Sequence, residues 1–323
     1  MKTVFTFLFL AFTLFGNAQE FKSGTFLYRV NGEKSVEVLS GDKKMSGNVM
    51  IPQSVRFNGV VYNVTAVADT GFMGCKGISS LILPSTIVKI GKRAFLNCVN
   101  LNSVNIPYGV KNIPEGVFCH CESLYGVSLP DGITEIGDYA FAGCDKIVKI
   151  NLPDKLKKIG NKAFYNCLKI QALKLPEEVA EIGVRAFQGC SGLVRIEVEE
   201  ANTHFVSVES VLYTKDLTKI LRYPSKKDTP LYTVLQGVKE IEEFAFENVN
   251  DLIAVKLPSG LLTIPEYAFF NCENLQKASV PSTVRQMGEG SFFGSPALEH
   301  QALPGGVDFI EFDPDKGLIS DLE

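Results

Sequence analysis

Hydrophobic positions recur along this chain with a period of 23 residues. Phenylalanine occupies one column of the repeat and proline another, and both columns resume after an interruption. The phenylalanine column contains Phe72, Phe95, Phe118, Phe141, Phe164 and Phe187, and then Phe246, Phe269 and Phe292. Periods of about 20 to 50 residues are typical of solenoids, in which each repeat buries its apolar face against the next. The pattern therefore predicts a stack of coils.

One repeat reads apolar-x-x-apolar-x-apolar-Pro-x-x-apolar-x-x-Ile-Gly-x-x-Ala-Phe-x-x-Cys. Alternation as in Val104-Asn105-Ile106 or Ile150-Asn151-Leu152 predicts a short strand with one outward side chain. Proline ends the strand because it has no amide donor for a ladder. The next apolar positions, Ile133 and Ile136 for example, have the spacing of a tight or 3₁₀-like coil. We expect a mainly β solenoid with short 3₁₀ or coil segments on its outer face.

The interruption marks one long repeat. Phe187 and Phe246 are 59 residues apart, which is two periods plus 13. The repeat at 193–228 therefore carries an insertion and loses its Ala-Phe pair. Within it, two β-prone segments at 208–213 and 220–223 flank a short polar stretch, which predicts a hairpin projecting from the solenoid.

The two ends of the chain differ from the repeats. Residues 1–18 have a basic start, an apolar stretch and small residues up to Ala18, the pattern of a signal peptide, and the apolar stretch is too short to span a membrane. Residues 19–50 alternate in polarity around Asn31-Gly32, which predicts a β cap. The solenoid then covers 51–310, and an acidic tail at 311–323 is expected to cap its other end.

Charge and cysteine content narrow the possible functions. The chain has 32 Lys and Arg against 36 Asp and Glu, a net charge of -4, without a basic run. A nucleic-acid partner is therefore not expected, because phosphate binding needs clustered positive charge. The Cys119-His120-Cys121 triplet lacks zinc spacing, and catalytic motifs are missing from the sequence. We predict no enzymatic activity, no metal and no cofactor.

An even number of cysteines in an exported chain would ordinarily indicate disulfides. Seven of the eight, however, share one column of the repeat: Cys75, Cys98, Cys121, Cys144, Cys167, Cys190 and Cys272. Val249 and Ser295 occupy the same column, and side chains stacked in a column run parallel instead of pointing at each other. We therefore predict a buried ladder of reduced thiols, with Cys119 outside it and partly exposed.

The Leu-Pro, Ile-Gly, Ala-Phe and Cys columns resemble the leucine-rich repeats of BspA-like bacterial surface proteins, over Val49 to Phe309. The resemblance implies a right-handed leucine-rich repeat solenoid that is exported, to the cell surface or medium or else to the periplasm. It also implies adhesin-like, non-enzymatic binding to host extracellular-matrix proteins, host cells or other microbes. The alternatives are a structural or assembly protein within the cell envelope and a glycan-binding module.

Three surface columns are candidate binding sites. The outward column of the strands contains Asn105, Ser128, Asn151, Lys174, Glu197 and Lys256. An acidic column contains Asp131, Asp154, Glu177 and Glu200, which would favour a cation such as Ca²⁺ or a basic partner, or would serve only solubility. An aromatic column contains Tyr139, Phe244 and Tyr267, which would bind partners or sugars if exposed and would fill the outer side if buried.

Overall fold

The computed structural model describes residues 19–298 and 308–309. Every regular element in these residues is a β-strand, and the strands build a solenoid of about ten turns. The signal peptide expected at 1–18 and the acidic cap expected at 311–323 lie outside the described residues.

The strands are short and follow one another in a regular order. The first six are β1 (Glu20–Ser23), β2 (Phe26–Gly32), β3 (Ser35–Ser40), β4 (Ser46–Met50), β5 (Ser54–Phe57) and β6 (Val60–Val67). The next ten are β7 (Gly77–Ile82), β8 (Lys89–Ile90), β9 (Ser103–Asn105), β10 (Asn112–Ile113), β11 (Gly126–Ser128), β12 (Glu135–Ile136), β13 (Lys158–Ile159), β14 (Ala172–Leu175), β15 (Glu181–Ile182) and β16 (Arg195–Val198). The last ten are β17 (Phe205–Val208), β18 (Val211–Thr214), β19 (Lys219–Arg222), β20 (Leu231–Thr233), β21 (Glu240–Ile241), β22 (Ala254–Lys256), β23 (Thr263–Ile264), β24 (Lys277–Ser279), β25 (Gln286–Met287) and β26 (Asp308–Phe309).

An antiparallel sheet covers the N-terminal end of the solenoid. Strands β1, β2 and β3 pair in sequence order, and β3 then pairs in parallel with β6 of the first coil. Val36, Val38 and Tyr28 of this sheet are fully buried against the first coil. The sheet thereby extends the stack and covers apolar side chains that an open end would expose.

The coils are joined by two sets of parallel strands. The strand face consists of β4, β7, β9, β11, β14, β16, β20, β22 and β24. The second ladder consists of four separate groups of paired strands, which are β6 and β8, then β10, β12, β13 and β15, then β19 and β21, and then β23, β25 and β26. The tight coil expected at Ile133 and Ile136 is confirmed at Ile133, whose N–H donates to the carbonyl of Pro130 at 3.1 Å. It is wrong at Ile136, which belongs to β12 and pairs with β10 and β13. An extended segment at the same place in every coil can form backbone hydrogen bonds with the coils above and below it, whereas a 3₁₀ turn forms its hydrogen bonds within itself.

The outer side of each coil consists of turns whose backbone also bonds to the next coil. Phe118 N–H donates to the carbonyl of Ala140 at 2.9 Å, and His120 N–H donates to that of Ala142 at 2.7 Å. The phenylalanine rings beneath these turns are stacked, with centroids 5.5 Å apart for Phe118 and Phe141 and 5.4 Å apart for Phe141 and Phe164. The rings thus form one aromatic stack from Phe72 to Phe187 and a second one from Tyr223 to Phe292.

The cysteine column lies inside this core as free thiols. Six of the seven thiols of this column, all but Cys75, donate to the carbonyl of the phenylalanine 26 residues earlier, as in Cys98 Sγ to Phe72 O at 3.1 Å. Ser295 Oγ makes the equivalent bond to Phe269 O at 3.0 Å, which explains why serine is accepted in this column. The expectation that Cys119 is partly exposed is wrong, because Cys119 is fully buried. Ala142 and Gln188, which occupy the same column in later coils, are buried as well, since the outer turns pack closely on one another.

Burial makes the thiols resistant to ionisation and to alkylation. Desolvation raises the pKa of Cys98 and of Cys190 to about 12, against 9 for an exposed thiol. Burial disfavours the thiolate only in the folded chain, whereas the unfolded chain ionises its thiols near pH 9. The free energy of unfolding is therefore independent of these thiols below pH 9 and falls between pH 9 and about 12. We expect the melting temperature to fall in that range, and we expect iodoacetamide at pH 8 to label the cysteines only after urea is added. Rapid labelling of the native chain would contradict the buried ladder.

The insertion stays within the stack instead of projecting from it. Strands β18 and β19 form the hairpin that the sequence indicates, but β19 also pairs in parallel with β21 of the next coil. Tyr223 lies in the phenylalanine column, 23 residues before Phe246, and Arg222 lies in the alanine column. The buried apolar residues fall into two clusters, which adjoin at Val211 and Leu212. The long repeat therefore separates two cores.

Candidate functional site

The six candidate residues of the strand face all point to solvent. Ser128 lies opposite Asn105 in the parallel register, Glu197 lies opposite Lys174, and Lys256 lies opposite Ser279 and Thr233. They form one outward column because the same position of each strand points away from the core. Asn105 already bonds the backbone of Leu83, donating to its carbonyl at 2.9 Å and accepting from its amide at 2.7 Å. Both polar atoms of the Asn105 side chain are therefore already engaged in hydrogen bonds within the fold.

The strand face opens at the coil that contains Asn151. The strand expected at Ile150-Asn151-Leu152 does not form, and a single bridge from Lys149 to Ala172 is the pairing of this coil on the strand face. Within residues 19–298 no backbone hydrogen bond joins 149–151 to β11. The strand-face sheet therefore ends at β11 and begins again at β14, while the second ladder stays continuous from β10 to β15.

A cleft of about 480 Å³ lies on the strand face beside this opening. It brings together Asn151, Lys174 and Glu197 of the outward column with Asp154 of the acidic column. Its other lining residues are Val148, Lys149, Ile150, Leu152, Gln171, Ala172, Leu173, Pro176, Arg195 and Glu199. The remaining strand-face candidates, Ser128 and Lys256 among them, lie in other coils.

The cleft has a mixed charge and carries two solvent-exposed ion pairs. Lys174 Nζ lies 2.5 Å from a carboxylate oxygen of Glu199, and Arg195 Nε lies 3.0 Å from one of Glu197. Lys149 and Asp154 bring the total to three basic and three acidic side chains. The lining includes neither serine, cysteine nor histidine, so it lacks an activated nucleophile of these kinds. This arrangement suits noncovalent recognition of a polar, charge-patterned partner.

The acidic column is an exposed row of carboxylates. Asp131, Asp154, Glu177 and Glu200 are all exposed, and within residues 19–298 none of their carboxylates forms an ion pair. In the same part of the chain, no group of three or more His, Cys, Asp or Glu side chains is arranged to hold a metal ion. The row supplies negative charge to the rim of the cleft through Asp154.

Two of the three side chains in the aromatic column are buried. Phe244 is 1% exposed and Tyr267 is 9% exposed, and their rings stack at 5.1 Å. Tyr139 is half-buried, with Lys162 Nζ 5.3 Å from its ring centroid. The sugar-binding interpretation is wrong for Phe244 and Tyr267, because the chain folds both rings against neighbouring turns.

The repeat pattern did not single out a polar cluster at the long repeat. Arg222 is 3% exposed and Glu247 is 5% exposed, and the nearest atoms of their charged groups are 3.3 Å apart. A signal was present in the sequence, because Arg222 precedes Tyr223 as alanine precedes phenylalanine in other repeats. An arginine in an alanine column requires a buried partner.

The described residues contain no helix that could cross a membrane. No curated protein matches the sequence. Among solved structures, the pneumococcal vaccine antigen PcpA is 26% identical with a TM-score of 0.79, covering 91% of this chain and 78% of that one. A leucine-rich cell surface protein of Faecalibacterium prausnitzii is 22% identical with a TM-score of 0.66, covering 92% and 95%. A leucine-rich repeat protein of Eubacterium ventriosum is 18% identical with a TM-score of 0.52, covering 90% and 92%. The latter two similarities are similarities of fold.

The sequence also matches a protein family directly. The family is described as BspA type leucine-rich repeat region, and it matches in six copies over 53–136, 113–229 and 207–313. These segments span most of the described solenoid, including the long repeat. The 23-residue period and the β-solenoid agree with that match. The chain therefore belongs to the BspA-type leucine-rich repeat family.

Proposed function

We propose that this chain is an exported, non-enzymatic binding protein that recognises proteins on host or microbial surfaces in the manner of an adhesin. The observation that carries the proposal is the cleft on the strand face, where Lys174, Glu197 and Asn151 meet Asp154. Family membership supports a surface role, since its solved neighbours include a leucine-rich cell surface protein. A rigid repeat array presents such a surface without rearrangement.

The chemistry of the cleft favours a protein partner with both signs of charge. Three basic and three acidic side chains are distributed over the three coils that contain Asn151, Lys174 and Glu197. Complementary charges increase the rate of association and select against partners whose charges are misplaced. Val148, just before the bridge at Lys149, and Val194, just before β16, are 46% and 42% exposed, and they add apolar contact area to the surface.

Location is tested by protease shaving of intact producing cells, followed by mass spectrometry of the released peptides. We expect peptides from 19–298 to appear without lysis. Protection of the chain until the outer layer is permeabilised would contradict surface display and would favour a structural or assembly role within the envelope. A control protein of the cytoplasm must stay protected in the same experiment.

Binding is tested with a panel of immobilised matrix proteins and a glycan array. We expect saturable binding to at least one protein, weakened about tenfold by Lys174→Glu, mainly through slower association. Lys158→Glu is the matched control, because Lys158 is also exposed and also lies near two glutamates, Glu135 at 3.8 Å and Glu181 at 3.6 Å, but on the second ladder. Equal effects of the two variants would contradict a strand-face site. Binding to sugars alone would favour the glycan-binding module.

A further inference from the structure

The junction between the two cores breaks the hydrogen bonding of the outer turns. In the coil that contains Phe164, which shows the regular pattern, the backbone N–H groups of Lys162, Phe164 and Asn166 donate to carbonyls of the following coil at 2.9 to 3.0 Å. The equivalent groups one coil later are those of Arg185, Phe187 and Gly189. Within residues 19–298, the N–H groups of Arg185 and Phe187 make no such bond. The long repeat therefore offers no backbone carbonyl to these two donors, which belong to the coil before it.

The third donor of this row shows which acceptor the junction takes. Gly189 N–H donates to the side chain of Glu247, with 2.6 Å between the nitrogen and Oε2. A carboxylate oxygen thus replaces the missing backbone carbonyl. The same oxygen lies 3.3 Å from Arg222 Nη1, so the charge of the carboxylate is compensated where it is buried. The other two donors lack an equivalent carboxylate.

A cavity of about 190 Å³ lies beside these donors. Arg185, Phe187, Gln188 and Arg222 line it, and the apolar side chains of Leu212, Leu221 and Phe244 form part of its wall. Two buried polar atoms of the lining residues have no partner, Arg222 Nε and Gln188 Oε1. The volume corresponds to about six water molecules at roughly 30 Å³ each, more than one bridging water needs.

The unpaired atoms define the chemistry of a ligand. Arg222 Nε–H and the amides of Arg185 and Phe187 are donors, and they call for an acceptor with two oxygens. Gln188 Oε1 is an acceptor and calls for an N–H donor close to those oxygens. Buried polar atoms without partners cost free energy that a ligand with matching groups recovers. The apolar wall suits a short hydrocarbon side chain.

We propose that the junction cavity binds a carboxylate with an adjacent N–H group and a small apolar side chain, as found in the C-terminal residue of a peptide or in a free amino acid. The carboxylate accepts from Arg222 Nε and the free backbone amides, and the N–H donates to Gln188 Oε1. Arg185 is held at the rim by its 2.7 Å ion pair with Glu243. This site is separate from the strand face and does not depend on the function proposed there.

The test is isothermal titration calorimetry of the folded mature chain with three probes: N-acetyl-L-valine, N-acetyl-L-valine amide and L-valine. We expect saturable binding of N-acetyl-L-valine and at least tenfold weaker binding of its amide, which lacks the carboxylate. Tighter binding of L-valine than of N-acetyl-L-valine would identify free amino acids as the source, and the reverse order would identify peptide ends. Equal binding of acid and amide, or no saturable heat with any probe up to about 10 mM, would overturn the proposal.

A variant of Gln188 separates a ligand site from a packing defect. Gln188→Met keeps the length of the side chain and removes the unpaired oxygen, so the ligand-free protein should melt no lower than the parent protein. The same variant should bind N-acetyl-L-valine at least tenfold more weakly. Lys89→Ala, at an exposed position of β8 in another coil, is the control and should leave this affinity unchanged. Unchanged affinity in Gln188→Met would overturn the assignment of the N–H partner, and the probe comparison on the parent protein tests the carboxylate independently.

Discussion

Replacing Phe141 by alanine is expected to lower the free energy of unfolding by about 3 to 5 kcal/mol. Phe141 is fully buried in the middle of the aromatic stack, between Phe118 and Phe164. Truncation removes its apolar surface from the core and leaves a cavity. Neighbouring coils cannot close this cavity, because hydrogen bonds to the coils above and below fix their spacing.

Urea denaturation followed by circular dichroism measures this loss. Phe293→Ala is the matched control, since Phe293 is also an aromatic residue of an outer turn but is 61% exposed. We expect the control to change the free energy of unfolding by no more than about 0.5 kcal/mol. Similar losses in both variants would show that the stack is not the main source of stability in this region.

Replacing Glu247 by alanine is the second substitution with a large expected effect, again about 3 to 5 kcal/mol. Glu247 neutralises Arg222, which is 3% exposed, and it accepts the amide of Gly189 across the junction. Without the carboxylate, a buried guanidinium loses its counter-charge and a buried amide loses its acceptor. Hydrogen exchange should show that the amide protons of the long repeat lose protection first.

Two comparisons make this result specific. Glu115→Ala removes a carboxylate that pairs with Lys92 and Arg93, whose side chains are 66% and 45% exposed, and it should cost under about 1 kcal/mol. The double variant Arg222→Met with Glu247→Leu should recover the part of the stability that is lost through the unpaired guanidinium, because apolar pairs often replace buried ion pairs without loss, while the amide of Gly189 stays without an acceptor. A cost for Glu247→Ala as small as that for Glu115→Ala would contradict a buried pair at the junction.

Much of the fold could be predicted from residue columns alone. The phenylalanine, proline and cysteine columns indicated coils of 23 residues because a solenoid repeats the same inward positions in every turn. The hairpin of the long repeat was likewise visible as two β-prone segments around polar residues. Its place within the stack was not visible, because β19 takes its position through pairing with β21 of the following coil.

The candidate site was predicted less completely. The outward column was identified, and Lys174 and Glu197 do lie side by side on the strand face. The cleft arises because the coil at Asn151 forms a single bridge where its neighbours form strands, although Ile150-Asn151-Leu152 alternates as they do. The aromatic column was ambiguous, since burial of Phe244 depends on Tyr267 and Arg185 in other coils.

The sequence by itself determined the period, the inward columns and the family, because these follow from the order of apolar residues within one coil. Only the tertiary structure decided where the strand face opens, that the inserted hairpin joins the stack, and which carboxylate neutralises Arg222. These features depend on contacts between coils, such as Arg222 with Glu247 at a separation of 25 residues and Arg185 with Glu243 at 58. A repeat pattern gives the environment that coils share, whereas a buried charge is stabilised by the one partner that packing places beside it.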